Sequence, residues 1–189
     1  TAVFTRRGTE RVIRYAFELA RTRDKKRKVT SVTKSNAMRH SMVFWDRVFQ
    51  EVAAEYPEVE TDALLVDAAS MNLVRSPEAF DVIVASNLFG DILTDIGAII
   101  TGSMGLAASA NIDPTRRFPS MFEPVHGTAP DIVGQGIANP YSMIGSVALM
   151  LDKSFGMHDE AKSIMNAMRD TFGQGYTTAD LRDPEGKLQ

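Results

Sequence analysis

The sequence contains no cysteine, which excludes a disulfide scaffold, a thiolate zinc site and a cysteine nucleophile. The absence points to a reducing compartment and leaves any metal to oxygen or imidazole ligands. Neither sign of charge dominates: 21 basic against 24 acidic residues give a formal net charge of −3, so no global field draws the chain to nucleic acid or to an anionic membrane. The basic run Arg21–Lys28 contains Asp24 and follows an amphipathic pattern, so it reads as a solvated helix end. Long apolar runs are missing as well. The twenty uncharged residues between Asp131 and Asp152 include Gln135, Asn139, Pro140 and three glycines, which favours a buried helix from Asn139 over a membrane span. The first ten residues hold Arg6, Arg7 and Glu10, with no signal-peptide core and no initiator Met. A cytoplasmic protein is expected, with a start inside a longer chain left open.

What is present is ordinary globular usage, 44% apolar and 24% charged over 189 residues, enough for one domain or two small ones around an apolar core. Val12, Ile13, Ala16, Phe17, Leu19 and Ala20 recur at helical spacing after Thr9, a candidate N-cap, and predict a helix over 9–23. β-Branched Lys28–Thr33 reads as a strand, Ser41–Tyr56 as a helix stopped by Pro57, Ala63–Asp67 as a strand and Ala68–Arg75 as a short helix. Asp81–Ser86 is a continuous apolar run, expected of a strand covered on both faces, and Asp91–Ile100 is helical. Gly102, Gly105 and the Ala-Ser-Ala-Asn stretch break the texture. A strand at Met121–Val125, a helix at 140–151 and a last helix at Asp159–Phe172 follow. Strands alternating with helices place the chain in the α/β class, a mainly parallel sheet with flanking helices, without internal repeats.

Asp91 and Asp95 stand four residues apart, on one helix face, where both carboxylates can converge on a single hard cation. The helix carries no basic partner and is apolar nearly all round, so it is expected to be buried. Two carboxylates in its first turn would then repel each other unless a divalent ion joined them, with help from the helix dipole. Asp67 ends the strand LLVD, and Lys34 follows VTSVT in the loop Lys34-Ser35-Asn36; ligand groups gather at such carboxyl ends of strands. A lysine beside a bound cation is disfavoured as an ammonium and suits a general base. In the stretch Phe122–Asn139, Gly127 and Thr128 offer donors of the kind that cradle phosphate, Asp131 can accept from a ribose hydroxyl, and His126 can stack on or donate to a nucleotide. There is no GxGxxG after a strand and no GxxxxGK[ST], so a standard Rossmann or P-loop site is unsupported.

KSNAM, VDAAS, SNLFGDILTDIGA, GSMGLAASAN, FEPVHGTAPDI and GIANP, in that order, resemble the metal-dependent β-decarboxylating dehydrogenases, which act on isocitrate, 3-isopropylmalate, homoisocitrate, tartrate and D-malate. The likeness covers about residues 1–180 and leans toward the tartrate/D-malate branch, with isopropylmalate enzymes the nearest rival. It implies an isopropylmalate-dehydrogenase-like fold with both domains incomplete, 1–101 in the dimerisation and metal-binding domain and 102–189 in the NAD-binding domain. It also implies NAD- and Mg²⁺- or Mn²⁺-dependent oxidation of a 2-hydroxy acid with loss of the β-carboxylate, K⁺ being an optional further cation.

Carried onto this sequence, the resemblance makes Asp91 and Asp95 metal ligands of one subunit, with Asp67 and Lys34 reaching in from the partner of a homodimer. Lys34 would assist removal of the hydroxyl proton, and Asn36 would lie near the nicotinamide or substrate. Gly105, Glu123, His126, Gly127, Thr128, Ala129, Asp131 and Asn139 match the dinucleotide site, where the Asp131 carboxylate favours NAD over the 2′-phosphate of NADP. The family's N-terminal half, with its GDGIGPE-type segment, substrate-binding arginines and proton-donating tyrosine, has no counterpart here, and its DLGG becomes Asp180-Leu181-Arg182-Asp183. Little activity from this chain alone is therefore expected. A catalytically silent fragment or subunit that binds a partner is the alternative of another class. A metal-dependent hydrolase on Asp67, Asp91 and Asp95 would lack a recognisable nucleophile.

Overall fold

Lys28–Thr33, the most β-branched run in the chain, forms the central strand β1 of a parallel sheet in the order β2-β1-β3, with β2 at Glu60–Leu65 and β3 at Val82–Ala85. Val29 lies opposite Thr61 on one side and Val82 on the other, and five of the six β1 residues are buried. The structure is a computed structural model that describes residues 2–23 and 25–182, so Asp24 and Asp183 lie outside the described residues. The chain divides into two compact units, Thr1–Gly97 and Ala98–Gln189.

In the first unit, helix α1 (Arg6–Thr22) starts a turn earlier than the apolar spacing predicts. Thr5, not Thr9, caps it by accepting from the Gly8 N–H at 3.2 Å, while Thr9 is buried inside the helix. Arg6 and Arg7 hid the first turn because they add nothing to the apolar stripe. Helix α2 (Ser41–Ala53) ends before Pro57, as a residue with fixed φ and no N–H requires. Ile13 and Phe17 of α1, Trp45, Val48 and Val52 of α2, and Val29 and Val32 of β1 make the core, each nearly or wholly excluded from solvent. Full burial of each such side chain contributes roughly 1.5–3 kcal/mol before entropy is charged against it. Trp45 keeps its polar handle satisfied, its Nε1–H donating to Ser31 Oγ at 3.0 Å inside that core. Arg14 clamps α1 to the residues after α2, donating to Glu55 Oε2 and Oε1 at 2.8 and 2.6 Å.

Four local expectations are corrected here. Strand β2 runs over 60–65 because pairing with β1 from Lys28↔Glu60 onward sets its length, although polar Glu60–Asp62 conceal it in the sequence. Asp67 consequently does not end a strand; it is the second residue of helix α3 (Val66–Arg75). Helix α4 (Asn87–Ile100) begins four residues before Asp91, so no acidic residue occupies its first turn and the dipole argument for Asp91 and Asp95 falls away. Nor is α4 buried all round: Phe89, Leu93 and Ala98 are covered, but Leu88, Ile92 and Ile99 are exposed.

The second unit is built on a two-stranded antiparallel sheet, β4 (Ala108–Asn111) with β5 (Met121–Pro124), Ser109 opposite Glu123. Strand β4 falls in the Ala-Ser-Ala-Asn stretch whose small residues read as a break. At Ala108 the small side chain has a packing reason, because Gly145 of helix α5 (Tyr141–Met150) lies so close that a Cβ added to it would stand 3.1 Å from that of Ala108. The expectation of a buried helix at 140–151 holds for one face only. Ser142, Gly145, Ser146 and Ala148 are covered, whereas Met143, Ile144 and Val147 are exposed. One π turn, Leu151–Phe155, extends α5 to Gly156, whose φ of 69° ends it, and helix α6 (His158–Gly173) follows. No helix among the described residues is long and apolar enough to cross a membrane.

Candidate catalytic and nucleotide-site residues

Two groups of side chains, one in each unit, carry the candidate chemistry. In the first unit the carboxyl end of β1 delivers Lys34, and the start of α3 delivers Asp67 from the neighbouring strand. The parallel register, Thr33↔Leu65, brings them together. Lys34 Nζ donates to Asp67 Oδ1 at 2.8 Å, and this contact, first among its causes, holds the Asp67 carboxyl below its ordinary value. Asn36 follows in the turn after Lys34, where the Ala37 and Met38 N–H groups donate to the Lys34 carbonyl. The two residues the sequence reading paired, Lys34 and Asp67, are thus neighbours within one chain.

On α4 the helical period puts Leu88, Asp91, Ile92, Asp95 and Ile99 along one arc of the surface. All five are exposed. Both carboxylates therefore share a face with an uncovered apolar stripe, and among the described residues neither has an ion-pair partner. No three His, Asp or Glu side chains of the described chain converge as a metal site, so Asp67 does not join Asp91 and Asp95 within one copy.

In the second unit a cavity of about 410 Å³ is lined by Gly105, His126, Thr128, Ala129 and Asn139, five of the eight residues matched to a dinucleotide site. Ser103, Ile132, Val133, Ile137, Ala138, Ala179 and Asp180 complete much of the wall. Of the other three, Gly127 links His126 to Thr128 at a φ of 68°, and Glu123 and Asp131 are exposed outside the lining. Asp131 nevertheless sits in the 3₁₀ turn Pro130–Ile132, between the lining residues Ala129 and Ile132. The turn is tied down by Gln135, whose side-chain amide donates to the Asp131 carbonyl at 2.7 Å.

One wall of this cavity was not foreseen. Asp180 accepts from the Ser103 hydroxyl and, at 3.0 Å, from the Asn139 amide, while Asn139 Oδ1 accepts from the Tyr141 N–H at the start of α5. Burial pushes the Asp180 carboxyl up, but donation from Ser103 and Asn139 outweighs it and leaves the group below its ordinary value. Gly105 lets this knot close: a Cβ there would lie 2.8 Å from Asn139 Cβ and 2.9 Å from Asp180 Oδ2. The only trace in the sequence was the Asp180-Leu181 pair; its distance from residue 103 hid the contact.

The model of the isocitrate/isopropylmalate dehydrogenase family matches residues 1–188, and the chain belongs to that family, one of oxidoreductases. It is 54% identical to a probable tartrate dehydrogenase/decarboxylase of Bacillus subtilis, 50% to a 3-isopropylmalate dehydrogenase of Halalkalibacterium halodurans and 48% to the decarboxylating D-malate dehydrogenase of Escherichia coli. Those matches cover 95%, 97% and 96% of this chain and 50%, 49% and 51% of the relatives, so the chain spans about half the length of the curated relatives it matches. The crystal structure of isocitrate dehydrogenase from Methylococcus capsulatus, 45% identical, matches with a TM-score of 0.91 over 99% of this chain and 53% of that one. The α/β class and the isopropylmalate-dehydrogenase-like fold are thereby established.

Proposed function

We propose that this chain supplies the metal- and dinucleotide-binding half of an NAD-dependent dehydrogenase. That enzyme oxidises a 2-hydroxy acid of the tartrate or D-malate type and releases its β-carboxylate as CO₂. The observation that carries the reading is the placement of Asp91 and Asp95, unpaired, on an exposed apolar face of α4. A carboxylate pair without a cationic partner is a fitting donor set for Mg²⁺ or Mn²⁺, and Asp67, kept ionised by Lys34, is a third oxygen ligand of the same kind. The apolar stripe around them suits a face shared with a second copy, which would contribute Asp67 and Lys34 in a homodimer. The cavity behind Gly105 and His126 fits a nucleotide in its mix of apolar wall, hydroxyl and backbone donors. The exposed carboxylate of Asp131 beside it favours NAD over NADP.

When bound, a divalent ion would make the substrate hydroxyl more acidic and offset negative charge developed on loss of CO₂, and a nicotinamide would serve as the hydride acceptor. The chain's own part is to hold and to move protons. Asp91 and Asp95 would hold the cation through their carboxylate oxygens. Lys34 Nζ, which donates to Asp67 Oδ1 at 2.8 Å, would take the hydroxyl proton as the free amine, once its own extra proton has passed to solvent. Asn36, two residues on, orients the substrate or the nicotinamide amide. The tartrate and D-malate names come from relatives at 54% and 48% identity, and a relative of the 3-isopropylmalate class at 50% keeps that substrate as the second reading.

The test is NADH formation from D-malate, tartrate and 3-isopropylmalate with Mn²⁺, by the purified chain alone and after refolding with the N-terminal half of the Bacillus subtilis relative. The chain alone should be silent, the mixture active, and Asp91→Asn in the mixture should cost at least about a hundredfold, as loss of a ligand to a catalytic cation does. Robust turnover by the chain alone, or an Asp91→Asn mixture as active as its parent, would overturn it.

A further inference from the structure

His126 is the one imidazole in the cavity wall, and both of its ring nitrogens are engaged by the protein. Nδ1 lies 2.8 Å from the Gly127 carbonyl oxygen and Nε2 lies 2.9 Å from the Ser142 hydroxyl. A carbonyl oxygen only accepts, so Nδ1 carries the hydrogen. In the neutral ring Nε2 then holds a lone pair, and the Ser142 O–H donates to it. Ser142 has no exposure to solvent, so water cannot replace the imidazole as its partner.

The serine is itself rigidly placed. It is the second residue of α5, whose first turn is pinned by Asn139 Oδ1 accepting from the Tyr141 N–H at 3.0 Å. One turn later the Ser146 hydroxyl, also buried, donates to the Ser142 carbonyl at 2.8 Å, and Gly145 rests on Ala108. Helix α5 therefore has little room to shift along or toward β4, and the hydroxyl at its start is a fixed reference point.

We propose that Ser142 is a positioning residue of the nucleotide cavity. The Gly127 carbonyl sets the Nδ1–H form and the buried Ser142 hydroxyl occupies Nε2 and fixes the ring plane, so that the imidazole meets a bound nucleotide through its ring face alone. The inference rests on reading this cavity as the seat of the dinucleotide. It makes His126 a stacking platform for a planar base, an interaction that needs a fixed ring plane and no donor. An aqueous imidazole is free to rotate and to change tautomer, and each freedom would have to be given up on binding; the Gly127 carbonyl removes the second beforehand and the serine the first.

Long-range ¹H–¹⁵N correlation spectra of the 189-residue chain, recorded at about pH 8.5, above the ordinary imidazole range, read the tautomer directly. His126→Gln identifies its signals among the three histidines. The Nδ1–H pattern is expected for His126 in the parent chain, and in Ser142→Ala, where Gly127 still accepts from Nδ1–H, the Nε2 resonance should move as it loses the serine donor. Titration with NAD should then show Ser142→Ala binding roughly three- to tenfold more weakly, the loss typical of one neutral hydrogen bond. An Nε2–H pattern in the parent, an Nε2 resonance unmoved in Ser142→Ala, or a moved resonance with unaltered NAD affinity would each overturn the proposal. The expected tautomer in a parent chain that binds no NAD would instead sink the nucleotide reading of the cavity and leave the Ser142 lock standing.

Discussion

Asp113 shows what one side chain contributes when it replaces missing secondary structure. In the loop between β4 and β5 it accepts from the Thr115 hydroxyl at 2.7 Å and from the backbone N–H groups of Thr115, Arg117 and Phe118 at 3.0 to 3.1 Å. The Thr115 hydroxyl, first among these, and the three N–H groups bring its carboxyl from 3.8 down to about 2. Because the folded value lies below the unfolded one, the stabilisation is complete above the ordinary carboxylate range and is lost as pH falls through the folded value of about 2. Asp113→Ala should therefore lower the thermal midpoint at neutral pH, and the gap to the parent should narrow below about pH 4 and close by about pH 2. Thermal melts of both chains across that range check it; a gap that does not depend on pH would mean the loop is ordered by something else. The carboxylates proposed to act on substrate behave differently. Asp91 and Asp95 are bound by nothing in the described chain, which is what keeps them available.

Among the elements, those whose order comes from local physics were legible. Lys28–Thr33 was read to the residue because β-branched side chains favour a half-buried pleat wherever they fall. Boundaries set by a partner were not. The start of β2 follows from pairing with β1, β4 pairs with β5 where Ala108 closely approaches Gly145 of α5, and the start of α4 was passed over although Ser86, a cap-type residue, stands just before it. The cavity wall has the same character: His126, Thr128, Ala129 and Asn139 were visible within one stretch, while Ser103 and Asp180 are joined only across the folded unit. Gly105 is where the two kinds of information meet. Gly105→Ala should separate Asn139 from Asp180 and cost roughly 1–3 kcal/mol, the usual penalty for overpacking a closed site. It should weaken NAD binding more than it lowers the melting temperature would suggest. Denaturant titration and calorimetric binding measure the two effects, and unchanged affinity would show that the Ser103–Asn139–Asp180 knot is structural only.

At the scale of the whole molecule, the apolar surface left open is as informative as the core. Leu88, Ile92 and Ile99 form a stripe on α4, and Met143, Ile144 and Val147 form another on α5, whose covered face carries the smaller Ser142, Gly145, Ser146 and Ala148. A helix that turns its larger apolar residues outward is matched to something else that covers them. The purified chain should self-associate, and Ile99→Lys, at the C-terminal end of the exposed arc that includes Asp95, should move the equilibrium at least about tenfold toward monomer. Light scattering over a range of concentrations decides this; a monomeric parent chain would remove the support for a catalytic centre shared between copies. The sequence by itself determined the class of fold, the family and the residue types of the chemistry, because hydrophobic periodicity, strand propensity and contiguous motifs are local properties of the chain. Only the tertiary structure decided that Lys34 meets Asp67, that Asp91 and Asp95 share an open face, and that Ser142 holds His126. Each of those depends on which distant backbone segments the core brings within a few ångströms, and no single stretch of sequence carries that distance.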